Sequence, residues 1–324
     1  MAQVNEFPLG EIVVTTLWHR SKWIADNVTT SNALLRKLSE AGKIKTVSGG
    51  RQIVQELEYA ENDTFLWYTG DDQLTVAAST PVIDAALYDW KQAAVVVRAN
   101  GLEVNVQNTG KEAVLNLLEA RINNAAKTMA NQIGTALYSD GTTNAKMIEG
   151  LQLQVADAPA TGVVGGINRA TAGNEWWRNQ ASGATDIAAD TIEAYMQNLY
   201  MLCTRGSDVP DLILADAIFY QAFWTSLMAI QRIQQVDEGQ RGWPTLKFVN
   251  ADVIYDGDTG IPASHMYFLN TDYLYWRPHA DVNMVPDDKR LAYDYDAFVI
   301  PILFAGNLTM SNAMLQGVLF DSTP

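Results

Sequence analysis

Asp258-Thr259-Gly260 is the tripeptide around which aspartic proteases build their site, where two carboxylates share a proton and activate water. The sequence holds one copy, so a hydrolase of that kind would have to be a dimer contributing one Asp258 from each chain. The residues before it, Asp256-Gly257, are turn formers rather than the apolar strand such a site needs. The same Asp256-x-Asp258 spacing opens a calcium loop, but the twelfth position is Tyr267, where a bidentate Glu must stand. Gly110-Lys111 has the end of a phosphate loop. Asn105 nevertheless stands where its first Gly belongs, and Glu112 where a Ser or Thr would hold magnesium. His19, His265 and His279 show no ligand spacing with one another or with Cys203. Cys203 itself lies in the apolar run Tyr200-Met201-Leu202-Cys203 and reads as a small core residue rather than a nucleophile. No catalytic, cofactor-binding or metal-binding constellation emerges, and the expectation is a non-enzyme with no cofactor.

The elements that would position any such residues are organised around one stretch. Apolar or small residues recur at Val114, Leu118, Ile122, Ala125, Met129, Ile133 and Leu137, in the steps of three and four that place them on one helical face. Thr109 and Glu112 form a capping box, and Gly141 suits the stop. A helix over 109–138 would be about 40 Å long, with Asn123, Lys127 and Asn131 opposite the stripe. Such a helix serves as a beam.

Composition narrows the classes. The chain has 324 residues, 48% hydrophobic and 18% charged, enough for a sizeable core and for about two domains. A formal net charge of −15 argues against tight, sequence-reading contact with nucleic acid, which requires a basic face. One cysteine excludes an intrachain disulfide. The start, Met-Ala-Gln-Val-Asn-Glu-Phe, lacks the basic and apolar regions of a signal peptide. The most apolar window, 212–230, carries Asp216 and Gln221 and reads as a buried strand and helix rather than a membrane span.

Along the chain, residues 1–43 read as an extended arm with a strand-like piece ending at Trp18 and a helix from Asn32 to Ala41, closed by Gly42. Residues 44–81 read as an extended β-hairpin loop. Ile53, Gln55, Leu57 and Tyr59 share one face, and Phe65-Leu66-Trp67-Tyr68 form the return. A lone ribbon is marginal in water, so Tyr59, Phe65, Trp67 and Tyr68 call for another surface. Residues 82–150 hold strands at 93–97 and 102–106, joined by Asn100-Gly101, and then the long helix. Residues 151–270 form an α/β region, loop-rich at first, in which Trp176-Trp177-Arg178 is an aromatic anchor. Helices at 191–204 and 217–234 and strands at 210–215 and 248–255 follow. Residues 271–324 alternate short strands that return to those beside the long helix.

This order resembles the major capsid proteins of tailed bacteriophages, with the HK97-like fold. Lys91-Gln92-Ala93 through Val106-Gln107-Asn108 resembles the strand pair before that family's spine helix. Ala136-Leu137-Tyr138-Ser139-Asp140-Gly141-Thr142, with Ile148-Glu149-Gly150-Leu151, resembles the exit from it. Ala170-Thr171 through Trp176-Trp177-Arg178-Asn179 resembles the opening of the axial domain, and Pro210-Asp211-Leu212-Ile213 its central strand. Gly306-Asn307-Leu308-Thr309-Met310-Ser311-Asn312 through Gln316-Gly317-Val318 resembles the closing strand.

The resemblance implies an α+β fold with a peripheral domain (spine helix plus antiparallel strands), an axial α/β domain, an extended loop and an N-terminal arm. It implies self-assembly through hexameric and pentameric capsomers into an icosahedral head around double-stranded DNA, made in the host cytoplasm. Portal and decoration proteins would be partners, and no membrane would be. Tyr59, Phe65, Trp67, Tyr68, Trp18, Trp176, Trp177 and Arg178 are the candidate intersubunit contacts. Some family members cross-link through a loop Lys; Arg51 to Pro81 contains none, and Lys43 and Lys45 stand only at its base, so a non-cross-linked shell is expected. The short lead into the arm points to a separate scaffolding protein and no large processing step. An encapsulin-like nanocompartment shell and the dimeric Asp258 hydrolase are the alternatives.

Overall fold

The computed structural model describes residues 32–62, 65–72, 81–100, 111–185, 187–229, 246–256, 260–287, 290–291 and 296–322. Helix α1 (Ala33–Glu40) opens the described chain. The Asn32 side chain caps it by accepting from the Leu35 N–H at 3.0 Å, and Gly42 follows at φ 66°. Leu34, Leu35 and Leu38, in helical spacing, are all buried against this same chain. The end of the expected arm is therefore part of the subunit core.

The ribbon pairs β1 (Ile53–Glu58) antiparallel with β2 (Ile83–Tyr88), in a register that sets Val54 opposite Leu87 and Glu58 opposite Ile83. Ile53, Gln55 and Leu57 face the core, as their alternation predicts, while Val54, Glu56 and Glu58 are exposed. Phe65-Leu66-Trp67-Tyr68 is not the returning strand. Those residues form no ladder, and the chain returns at 83–88 instead. Aromatic β-propensity attracts a strand reading there, but backbone pairing needs a partner strand in register, and β1 finds it in β2.

Strand β3 (Lys91–Asn100) leads toward the long helix α2 (Lys111–Ala136). Its 26 residues span about 39 Å. Ile122, Ala125, Ala126, Met129, Ala130, Ile133 and Ala136 are buried along one stripe, while Lys127 and Asn131 are exposed. Thr109, Gly110, Asn105 and the strand expected at 102–106 lie outside the described residues.

Beneath α2 lies an antiparallel four-stranded sheet. Its centre is the long β13 (Ala297–Met310), flanked by β3 on one side and by β11 (Leu274–Pro286) and β12 (Arg290–Leu291) on the other. All three run antiparallel to β13, β3 and β11 over long registers, so late strands do return beside the long helix.

A short hairpin, β4 (Val163–Val164) with β5 (Ile167–Asn168), precedes the second sheet, which has six strands in the order β6 (Gln180–Ala184), β14 (Gly317–Asp321), β10 (His265–Leu269), β7 (Leu212–Ala215), β9 (Ala251–Tyr255) and β8 (Leu246–Phe248). It separates two cores. Leu212, Leu214, Ile254, Tyr267 and Val318 face the core shared with α2, and Ile213, Ala215, Val253, Phe268 and Leu319 face the other. Strand periodicity of two dictates this division. The second core is closed by α4 (Ile192–Leu202) and α5 (Ala217–Ala229); α3 (Leu151–Gln154) is the single turn after the long helix's exit. Two expectations change here. Residues 248–255 form not one strand but a tight hairpin, β8 to β9, turning at Val249 with φ 54°. The last strand, β14, leaves the sheet beneath α2 and joins β10 and β6.

Candidate functional site

Cys203 is fully buried, its Sγ lies where a Cβ on Gly317 would fall, and burial pushes its thiol up to about 12. A thiolate nucleophile is excluded there. His265 and His279 are far apart in role: His265 meets Asp157, while His279 packs edge-on against Trp90. Among the described residues no cluster of His, Cys, Asp and Glu could hold a metal ion, and no helix is long and apolar enough to cross a membrane. Asp258 and Trp18 lie outside the described residues. Asp256 is buried and accepts from the Tyr138 hydroxyl, which ties the end of α2 to the six-stranded sheet.

The surface that stands out is apolar. On the connection between β1 and β2, Phe65 is 74% exposed, Trp67 90% and Tyr68 63%. Phe65 and Trp67 meet edge to face at 5.4 Å, so the exposed cluster is held together by its own rings. The ribbon's outer face adds Val54, Leu87 and Ile83, all exposed. Large exposed apolar patches of this kind mark protein contact surfaces.

The aromatic anchor is arranged differently. Tyr59 stacks on Trp176 at 4.9 Å within the chain. Trp177 is fully buried and donates its indole N–H to the Val164 carbonyl at 3.0 Å, so its ring offers nothing to a neighbour. Arg178 donates to the Arg169 carbonyl at 2.9 Å and approaches Glu175 at 3.7 Å. The pair Trp176-Trp177 thus fastens the ribbon root to the body, and Phe65, Trp67 and Tyr68 remain the open surface.

Sequence reasoning missed the residue at the centre of that anchor. Arg169 is fully buried, and its guanidinium donates to the carbonyls of Trp177, Leu153 and Gln154 and to Asn179 Oδ1. Burial lowers its pKa to about 10, leaving it charged at neutral pH. The neighbouring exit from α2 is stapled as tightly. Asn307 accepts from the Glu149 N–H and donates to the Asp89 carbonyl, and Gln154 donates to the carbonyls of Glu149 and Leu308. Lys91 approaches the Glu149 carboxylate at 3.4 Å. Burial raises the pKa of Glu149, against the pull of Lys91. Asn307 and Gln154 reach carbonyls and amides more than 150 residues away, and Arg169 binds the backbone of the loops on either side of it, pairings that no local pattern reveals.

The described residues combine a four-stranded and a six-stranded sheet, a long helix and a ribbon whose connection exposes aromatic side chains. No protein-family model and no curated protein matches the sequence. Solved structures do. The capsid protein of cyanophage A-1(L) superposes with a TM-score of 0.61 at 16% identity, covering 87% of this chain and 91% of that one. The capsid protein of a native GTA particle gives 0.58 at 12% identity, covering 88% and 90%. The capsid protein of Myoviridae phage XM1 gives 0.55 at 12%, covering 87% and 90%. At these identities the fold is what is shared: a mixed α+β, HK97-like capsid fold over most of the chain.

Proposed function

We propose that the chain is the major capsid protein of a tailed phage, assembling through hexameric and pentameric capsomers into the icosahedral head around double-stranded DNA. The observation that carries this reading is the capsid fold over nearly the whole chain, joined to an exposed aromatic loop that its own subunit leaves uncovered. In this reading the four-stranded sheet with α2 is the peripheral domain. The six-stranded sheet with α4 and α5 is the axial domain at the capsomer centre, and the ribbon with its tip reaches across a neighbouring subunit.

The physical logic is heterologous contact with closure: one patch on each subunit meets a different patch on the next, and the ring closes. Modest interfaces repeated around a shell give a stable container without chemistry at any one site. The acidic balance, −15, disfavours adhesion of packaged DNA to the wall. A separate scaffolding protein, a portal and decoration proteins complete the partner set, and the mature protein resides in the virion. Velocity sedimentation of material purified from infected or expressing cells tests the function. The reading expects fast-sedimenting particles whose DNA resists nuclease. Particles holding a cargo enzyme and no genome would instead identify a nanocompartment shell.

A further inference from the structure

Tyr275, on β11, carries an unusual concentration of cations. Lys45 Nζ lies 4.8 Å from its ring centroid, the Arg277 guanidinium 5.2 Å and Lys43 Nζ 5.7 Å. Lys43 and Lys45 come from the extended segment beside β11, where Ile44 bridges to Trp276 and Val47 to His279. One ring attracts one cation well. Three cations around it repel one another, and repulsion at a surface is relieved only by counter-charge. Among the described residues the carboxylate within ion-pair distance is Asp272, 2.9 Å from Lys43 and itself 74% exposed. Among the described residues Lys45 is exposed with no carboxylate within that distance, and the buried Nε of Arg277 has no hydrogen-bond partner, while one of its terminal nitrogens donates to Gln55 Oε1 at 2.8 Å.

The chain carries the complement. Residues 52–90, the ribbon with its connection, hold eight acidic side chains between Glu56 and Asp89 and no Lys, Arg or His. That is over half of the net −15 concentrated in one stretch of the chain. On its exposed face Glu56 and Glu58 alternate with apolar neighbours, Val54, Leu87 and Ile83. No carboxylate of this face pairs with the Tyr275 cluster of its own chain among the described ion pairs.

We propose that the acidic ribbon of a second copy of this chain docks on the Lys43–Lys45–Tyr275–Arg277 cluster, with Glu56 and Glu58 meeting the cations and the apolar neighbours covering the ring and lysine stems. The inference rests on the shell-subunit reading and specifies its landing surface. Acceptor and donor are different patches, so the contact propagates head to tail, as ring closure requires.

A charge swap tests it. Lys45→Glu alone and Glu56→Lys with Glu58→Lys alone each reduce the association constant for capsomer formation at least about tenfold, as close interfacial charge pairs do. Combining all three substitutions in one chain restores assembly to within about twofold of wild type. Thermal melting of the unassembled chains stays unchanged, since Lys45, Glu56 and Glu58 are exposed, and Lys45→Arg assembles normally. Three results would overturn the contact while leaving the shell reading intact: normal assembly of Lys45→Glu, no rescue by the combination, or loss of DNA retention alone, which would assign the cluster to phosphate. A wild-type chain that forms no ordered oligomer would overturn the proposed function and the contact with it.

Discussion

Gly150 shows how a single residue sets the exit from the long helix. A Cβ there would fall 2.4 Å from the Ser139 nitrogen and 2.6 Å from the Leu137 carbonyl oxygen, both backbone atoms that cannot step aside. Gly150→Ala is therefore expected to destabilise the subunit by about 3 kcal/mol, as overpacked sites do, read as a lower midpoint in denaturant; an unchanged midpoint would show that the turn relaxes freely. His265 offers a pH-dependent test. Burial alone would lower its pKa, but it is outweighed by the hydrogen bonds to Asp157 and to the Ala263 carbonyl and by the charges of Asp157 and Asp216, and the net shift is upward from 6.5. A raised folded pKa means that the contribution is complete below the unfolded value of 6.5 and is lost as pH rises through the folded one. Stability should fall across that window in the wild type. The fall should be smaller in Asp157→Asn, whose imidazole should titrate lower by NMR. Equal slopes in the two proteins would remove His265 from the account. At this scale the sequence was partly legible. Cys203 as a core residue followed from its apolar run, and Gly150 stood in the stretch that resembles the exit from the family's spine helix. Asn307 and Gln316 were not legible, because their partners are carbonyls distant along the chain, and Arg169 was not, because its partners are carbonyls of irregular loops that carry no periodic pattern.

Among the elements, the long helix and the inward face of β1 were legible because burial imposes periodicities of 3.6 and 2 that survive in sequence. The return strand and the destination of β14 were not, since register and sheet membership are decided by pairing rather than by pattern. That is also why Phe65, Trp67 and Tyr68, read as a strand, stand exposed outside any ladder. Replacing Trp67 and Tyr68 by Ala removes apolar surface that the isolated subunit never buries. The expected result is an unchanged melting temperature together with assembly reduced at least about tenfold, by analogy with aromatic hot spots. Normal shells from the double variant would show that the loop tip is not an intersubunit clasp. The anchor behaves oppositely. Arg169→Leu leaves three carbonyls without their donor, and a loss of about 3 kcal/mol in subunit stability is expected before any assembly is measured.

On the scale of the whole molecule, the two cores divided by the six-stranded sheet explain how the subunit keeps its shape. The central strands β14, β10, β7 and β9 contribute to both cores, so the region beneath the long helix and the region under α4 and α5 cannot shift independently without exposing apolar side chains. Rigidity of that kind is what a repeated lattice contact needs. The general architecture could be read from the order of elements, and the comparison with solved capsid structures bears out the fold across most of the chain. Electron microscopy of the purified protein, expressed with and without its neighbouring genes, tests the central claim most directly. Closed icosahedral shells, or rings of five and six subunits, are the predicted result. A monodisperse monomer or dimer under every condition would contradict it.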